Sequence, residues 1–195
     1  MRKRHILAAA AAAAAVPFAT AVPAQSHAYV TTPPSRAALC AAGTVTNCGD
    51  IQWEPQSVEG PKGFPSTGPS DGTLCAGGNS RFAQLDDPRG GAWPATRVTA
   101  GQRLTMTWKF TARHSTSQFR YYLTKAGYNA GTKITRSSLD LTPFLTVPYN
   151  GAQPPATVSH VGTLPGGRTG HQVILAVWDV ADTGNAFYQC MDVTF

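Results

Sequence analysis

Alternation of apolar and polar residues from position 104 to position 112 is the feature that most constrains how this chain can fold. Leu104, Met106, Trp108, Phe110 and Ala112 fall on one side, and threonines and a lysine fall on the other. A period of two residues puts successive side chains on opposite faces of an extended strand. The segment therefore predicts a strand with one buried face.

Three further segments have strand patterns. Phe119, Tyr121 and Leu123 repeat the alternation, residues 173–178 are continuously apolar as in a central strand, and residues 187–195 place several large apolar side chains on one face. No segment of useful length has a helical period. We predict an all-β fold, an immunoglobulin- or fibronectin type III-like antiparallel β-sandwich.

Residues from about 33 to 94 interrupt this pattern. They are rich in glycine and proline and contain few alternating runs. Loops of this length are uncommon in a compact domain, and they are usually functional or contain short helices. We predict a long structured loop insertion between the early strands that is held by cysteines and builds a surface.

Residues 1–26 have the features of a secretory signal peptide. A basic start precedes an alanine-rich apolar run that is too short to span a bilayer, and small residues precede His27. We expect cleavage between Ser26 and His27, and hence a secreted, extracellular protein without a membrane anchor. Cleavage after Ala28 also satisfies the small-residue rule and stays open as the alternative.

Net charge and length limit the kinds of partner and the number of domains expected for residues 27–195. Cleavage before His27 would remove three basic residues and no acidic residue, so the formal net charge of +6 would fall to +3. The remaining basic residues form no run, which argues against a nucleic acid partner. The length suits a single domain, which we expect to be a monomer.

All four cysteines, Cys40, Cys48, Cys75 and Cys190, lie in the segment that would be exported. Export favours disulfides over metal ligation, and the absence of a C-x-x-C spacing argues against zinc. Among the three possible pairings we favour Cys40–Cys48 with Cys75–Cys190. This combination joins a short local link to a long one between a loop and the last strand.

A histidine at the amino terminus would be an unusual metal ligand. His27 would then carry an α-amine and an imidazole, and His114 follows the end of the alternating strand. Two rings and an amine form a T-shaped set of nitrogens with open positions, which suits Cu(II) better than zinc. By its spacing alone, His114 is more typical of an ordinary surface residue at the end of a strand. His160 and His171 are more typical of surface or hydrogen-bonding residues.

The only glutamates, Glu54 and Glu59, lie in one polar loop together with Trp53. This concentration indicates a site, although each acid alone is typical of a surface. Trp53 is suited either to packing or to stacking its indole on a sugar ring. Near the C-terminus, Asp182 and Asn185 are ordinary turn formers.

Six stretches together form a recognisable set of motifs: residues 27–30, 33–36, 52–60 (Gln-Trp-Glu-Pro-Gln-Ser-Val-Glu-Gly), 111–116, 140–144 and 178–189. With them the chain resembles the bacterial lytic polysaccharide monooxygenases of auxiliary activity family 10, formerly called chitin-binding proteins with a type-4 domain. The resemblance covers residues 27–195, and compact, single-domain, chitin-active members are the most similar.

The resemblance implies a site. One copper ion per chain would be bound by a histidine brace made of His27, through its amine and ring, and His114. Phe187 would fill an axial copper position, Ala112 would crowd the opposite side, and Glu59 would orient the oxygen co-substrate. A flat binding face around the copper would comprise Trp53, Glu54, Pro55, Thr111, Asp182 and Asn185.

The disulfides also bear on the resemblance. The pair Cys40–Cys48 matches the family, whereas some chitin-active members have their second bridge where this chain has Leu145 and Gly162. This difference supports the pairing of Cys75 with Cys190.

The resemblance finally implies a function. The expected protein binds crystalline chitin, receives electrons from a small-molecule or protein donor, and uses hydrogen peroxide or dioxygen to oxidise C1 and break the polymer. A cellulose-active enzyme of the same family, a non-catalytic chitin-binding module and a copper carrier with a similar sandwich are the alternatives.

Overall fold

Two packed β-sheets form the frame of the molecule in a computed structural model that describes residues 27–195. The predicted signal peptide, residues 1–26, lies outside the described residues. In chain order the strands are β1 (His27–Thr32), β2 (Glu59–Pro61), β3 (Thr96–Arg97), β4 (Arg103–Ala112), β5 (Thr116–Leu123), β6 (Leu145–Pro148), β7 (Thr157–Thr163), β8 (His171–Val180) and β9 (Asn185–Thr194).

The smaller sheet has the order β1-β4-β7, and the larger has the order β2-β9-β8-β5-β6. The short β3 lies parallel to β9, while the other strand pairs described are antiparallel. The predicted all-β sandwich is confirmed, and the four strand segments foreseen from the sequence correspond to β4, β5, β8 and β9. Within residues 27–195 no helix is long and apolar enough to cross a membrane.

Aromatic side chains fill the space between the two sheets. Trp108 of β4 and Trp178 of β8 are fully buried there together with Phe119 of β5. The Trp108 indole donates a hydrogen bond of 2.8 Å to the hydroxyl of Tyr121, which lies 2.6 Å from Nδ1 of His160. His160 is thus a buried hydrogen-bonding residue, and burial lowers its pKa to about 4.

The insertion between β1 and β3 packs on the outer face of the larger sheet. It contains the helix α1 (Arg36–Ala41) and 3-10 helices at Gly49–Gln52, Ser80–Leu85 and Arg89–Gly91, and a further 3-10 helix lies at Arg136–Ser138. Its apolar side chains form a second core against Leu175 and Tyr188. The short helices explain why a segment without strand alternation is nevertheless ordered, as predicted.

Two disulfides fix the insertion, in the predicted pairing. Cys40 is bonded to Cys48, and Cys75 is bonded to Cys190 of β9. Leu145 and Gly162, where some chitin-active members carry a bridge, lie close together here as a packing contact between β6 and β7. The long bridge therefore connects the insertion to the strand that also carries part of the site.

A buried ion pair joins the insertion to the same strand. The Arg36 guanidinium donates to both carboxylate oxygens of Asp192 at 2.7 and 3.0 Å, and Nε2 of His171 lies 2.7 Å from Asp192. Burial alone would raise the pKa of Asp192, but Arg36 and His171 hold it below its usual value. The predicted hydrogen-bonding role of His171 is therefore borne out.

The buried carboxyl of Asp86 supports the loop that carries Cys75, and it yields a prediction about pH. Its Oδ1 accepts the N–H groups of Cys75 and Ala76 at 2.9 and 3.2 Å. Burial nevertheless raises its pKa from 3.8 to about 6. Since the folded pKa exceeds the unfolded one, ionisation destabilises the fold as the pH rises through this interval.

We predict that Asp86→Asn, whose amide oxygen can accept the same two N–H groups, stabilises the protein at pH 7 by about 1 to 3 kcal/mol. The gain should vanish near pH 4, where the wild-type carboxyl is protonated. Calorimetric melting at both pH values measures this difference, with Asp87→Asn as the exposed control. A variant that is less stable than the wild type at pH 7 contradicts the prediction.

Candidate metal centre

The pairing of β1 with β4 brings the two candidate ligand histidines to one end of the smaller sheet. His27, the first residue of β1, lies opposite Ala112, the last residue of β4, and His114 follows two residues later. The Thr111 hydroxyl donates to the backbone carbonyl of His27 at 3.5 Å. Sheet register, rather than proximity in sequence, thus unites residues 87 positions apart.

His114 is held at both its backbone and its ring. Its carbonyl accepts a 3.0 Å hydrogen bond from the Thr116 hydroxyl, which in turn accepts the indole N–H of Trp178 at 2.8 Å. Its Nδ1 lies 3.2 Å from Oδ1 of Asp182. A carboxylate accepts the proton of Nδ1, so the lone pair lies on Nε2, which is then the nitrogen that can bind a metal.

Glu59 and Phe187 are adjacent through strand pairing. Glu59 of β2 lies opposite Phe187 of β9, and its Oε1 accepts a 2.7 Å hydrogen bond from the Asn185 amide. The Phe187 ring is fully buried and stacks on Trp178 with 4.8 Å between ring centroids. The carboxylate is therefore oriented at the surface above an apolar ring.

The exposed aromatic of the insertion is Trp53, which has 80% of its surface accessible. It directly follows the 3-10 helix Gly49–Gln52 as its C-cap, and its backbone N–H donates to the carbonyls of Asp50 and Ile51. On either side of it, Asp50 and Glu54 both form ion pairs with Arg81, at 3.0 Å for Asp50. These contacts with one guanidinium fix the loop that presents the indole.

An open depression of about 380 Å³ brings together part of the predicted site, and His114 is not among the residues that line it. Its walls include His27, Glu54, Glu59 and Asn185 from the predicted set. Asn79 and Arg81 also line it, and sequence reasoning missed both. The one available sequence signal was that the acidic residues Asp50 and Glu54 need a basic partner. Nothing in the sequence indicates that this partner is Arg81.

The predicted binding residues differ in exposure. Thr111 and Asp182 are exposed and Ala112 is half-buried, as a surface around the histidines requires. Pro55 is buried, and its predicted place on the binding face stays a prediction.

The donor chemistry of this end of the sheet fits copper. In residues 27–195 no group of three His, Cys, Asp or Glu side chains is arranged for a metal ion. Imidazole donors therefore come from two histidines, and the α-amine of a processed His27 would be the third nitrogen. Such a nitrogen-rich set with open positions is one that Cu(II) favours.

Comparison with known proteins assigns the family. Residues 27–193 match the family model described as lytic polysaccharide mono-oxygenase, cellulose-degrading. The chain belongs to the AA10 lytic polysaccharide monooxygenases. The resemblance inferred from the sequence motifs is confirmed.

Solved AA10 structures share the fold over nearly all described residues. An AA10 lytic polysaccharide monooxygenase from Streptomyces lividans is 62% identical, with a TM-score of 0.84, and covers 87% of this chain and 100% of its own. A Bacillus amyloliquefaciens CBM33 in complex with Cu(I) after photoreduction is 36% identical, with a TM-score of 0.78, covering 86% and 99%. The Cu(I) in that structure indicates that proteins of this family bind copper.

A curated relative of this AA10 chain is much longer than the chain itself. GlcNAc-binding protein A of Shewanella oneidensis is 44% identical over 172 residues, which are 88% of this chain and 36% of that protein. The chain thus spans about a third of that relative's length.

Proposed function

We propose that this AA10 protein is a secreted, copper-dependent monooxygenase that binds crystalline chitin and cleaves it by oxidation at C1. The observation that carries the proposal is the placement of His27 and His114 at the same end of the smaller sheet, with Nδ1 of His114 3.2 Å from Oδ1 of Asp182. A copper-bound relative and a relative named for GlcNAc binding support the metal and the substrate.

The chain's own residues have distinct roles in this proposal. When bound by His27 and His114, one copper ion would supply one-electron redox chemistry toward hydrogen peroxide or dioxygen, with electrons from a small-molecule or protein donor. Asp182 fixes the ring of His114, and Glu59, held by Asn185, offers a hydrogen-bond acceptor to the small oxidant. The buried Phe187 ring excludes water from below.

Ala112 and the surface residues around it would allow the substrate to reach the proposed metal centre. Ala112 lies opposite His27 in the strand pairing, and its methyl group occupies little space beside the proposed ligands. Exposed Thr111 and Asp182 and half-buried Glu54 have side chains that can hydrogen bond to a sugar. When a polymer binds to this surface, one of its glycosidic units would lie next to the oxidant, and the polymer would not need to enter a deep cleft.

Processing is a separate part of the proposal. A signal peptidase that removes residues 1–26 would create the α-amine of His27 and direct the protein to the extracellular space. Amino-terminal sequencing of the secreted protein tests this step. A start at Tyr29 would remove His27 and contradict the proposed site.

Product mass spectrometry distinguishes the candidate functions. The copper-loaded protein with ascorbate should release C1-oxidised oligosaccharides from β-chitin, and a copper chelator should stop their release. Oxidised products from cellulose instead would support the cellulose-active alternative, in line with the description of the family model. Chitin binding without oxidised products would indicate a non-catalytic module. Metal transfer without polysaccharide affinity would indicate a copper carrier.

Trp53 provides a prediction about binding. Because its indole is largely exposed, Trp53→Ala should leave the melting temperature nearly unchanged while weakening the affinity for β-chitin about 10-fold through loss of stacking. Depletion assays with β-chitin measure this change, and Trp53→Tyr, which keeps a stacking ring, is the matched control. An unchanged affinity of Trp53→Ala would show that the indole does not bind the polymer.

A further inference from the structure

The four-residue turn 181–184, between β8 and β9, controls two groups of the proposed metal centre. Asp182 within it contacts the His114 ring, and Asn185 directly after it binds Glu59. The Asp182 side chain is about half exposed, so surrounding atoms confine it only in part. The position of its carboxylate consequently depends on what holds the backbone of the turn.

Lys62 binds the backbone of this turn at two places and that of the residue before it at a third. Its N–H donates to the carbonyl of Gly184 at 2.9 Å, and its Nζ donates to the carbonyl of Thr183 at 2.7 Å and to that of Val180. The ammonium thus bridges the two ends of the turn. An ammonium group has three donors and no acceptor, and hydrogen bonds from a charged donor are about twice as strong as neutral ones.

We propose that Lys62 is a positioning residue for the metal centre, because it closes the 181–184 turn so that Asp182 engages Nδ1 of His114. This inference rests on the proposed copper function. Lys62 follows β2 directly, and β2 carries Glu59. Lys62 therefore fixes the position of the Asp182 carboxylate, which orients His114, relative to that of the Glu59 carboxylate, which faces the oxidant.

The consequence for the metal is a matter of which ring nitrogen carries the proton. With Asp182 in place, His114 keeps its proton on Nδ1 and its lone pair on Nε2. Without the ammonium, the carbonyls of Val180 and Thr183 have no common donor, and the turn is free to move Asp182 away. The ring then also adopts the tautomer with a proton on Nε2, and in that tautomer Nε2 cannot bind a metal until the proton leaves.

The test compares Lys62→Met with Lys125→Met in the mature chain beginning at His27. Met keeps most of the apolar stem of lysine and removes the ammonium. Lys125 is the matched control, because its Nζ also donates to a backbone carbonyl, that of Ser137 at 3.0 Å, on another loop. Imidazole ¹⁵N spectra of the metal-free proteins report the His114 tautomer, and isothermal titration reports Cu(II) affinity.

Lys62→Met is expected to show a mixture of His114 tautomers and an affinity for Cu(II) that is about 3- to 10-fold lower, below the 10- to 100-fold loss typical when a direct partner of a ligand is removed. Lys125→Met should match the wild type in both. An unchanged His114 tautomer in Lys62→Met overturns the inference, even if affinity falls. If Lys62→Met does not fold, Lys62→Gln, which keeps one donor, is judged by the same two readouts.

Failure of this inference and failure of the proposed function differ in outcome. A wild-type protein that oxidises chitin, together with a Lys62→Met variant that keeps the wild-type tautomer, overturns only the role of Lys62. A wild-type protein that binds no copper overturns the proposed function itself.

Discussion

Replacement of His114 by alanine is expected to abolish oxidation of chitin while the protein stays folded. The substitution removes one of the two imidazole rings that β1 and β4 bring to the same sheet end. Loss of a direct ligand should lower Cu(II) affinity by more than about 100-fold, because loss of an outer partner alone costs 10- to 100-fold. Isothermal titration with Cu(II) and product mass spectrometry on β-chitin measure the two effects.

The fold should tolerate this change, because the ring's hydrogen-bond partner is Asp182, whose side chain is about half exposed and can be hydrated instead. His171→Gln serves as the control, since it alters a histidine that hydrogen bonds to Asp192, on another part of the protein. That variant should bind copper and oxidise chitin like the wild type. Oxidation that persists in His114→Ala would refute the assignment of this ligand.

Removal of the long disulfide is expected to cause the largest loss of stability. The bridge between Cys75 and Cys190 closes a loop of 115 residues. On the chain-entropy model, a link of this span stabilises the folded state by about 4 to 5 kcal/mol. The double variant Cys75→Ala/Cys190→Ala should lose about that much free energy of unfolding, which guanidinium denaturation measures.

The short bridge is the matched control for this prediction. Cys40 and Cys48 are only 8 residues apart, so the same model gives about 2.5 kcal/mol for Cys40→Ala/Cys48→Ala. The order of the two losses is therefore fixed by loop length. A larger loss from the short bridge would show that local packing, rather than chain entropy, determines the effect.

The sequence predicts the central strands well, because their pattern is local. The alternation at 104–112 corresponds to β4, and the apolar run at 173–178 lies within β8, which is buried on both faces. The helix α1 has only six residues, too few to show a helical period. The shortest strands, β2 and β3, are fixed by pairing with β9 and have no pattern of their own.

The candidate site is predictable to the extent that it depends on residue type. His27 and His114 stand out because imidazole is a strong metal ligand and an amino-terminal histidine adds an amine. Contacts between distant segments leave no such signal. Arg81 beside Glu54, Lys62 on the 181–184 turn and the burial of Pro55 all arise from how the insertion packs. The individual roles of the site residues stay predictions.

The most direct test of the proposed metal centre is Cu(II) binding by two forms of the chain, one beginning at His27 and one with a single glycine added before it. The added residue keeps both imidazole rings and moves the α-amine away from His27. We expect one tightly bound copper ion per chain in the first form and much weaker binding, without chitin oxidation, in the second. Equal affinity and equal oxidation in the two forms would contradict a copper site built on the His27 amine.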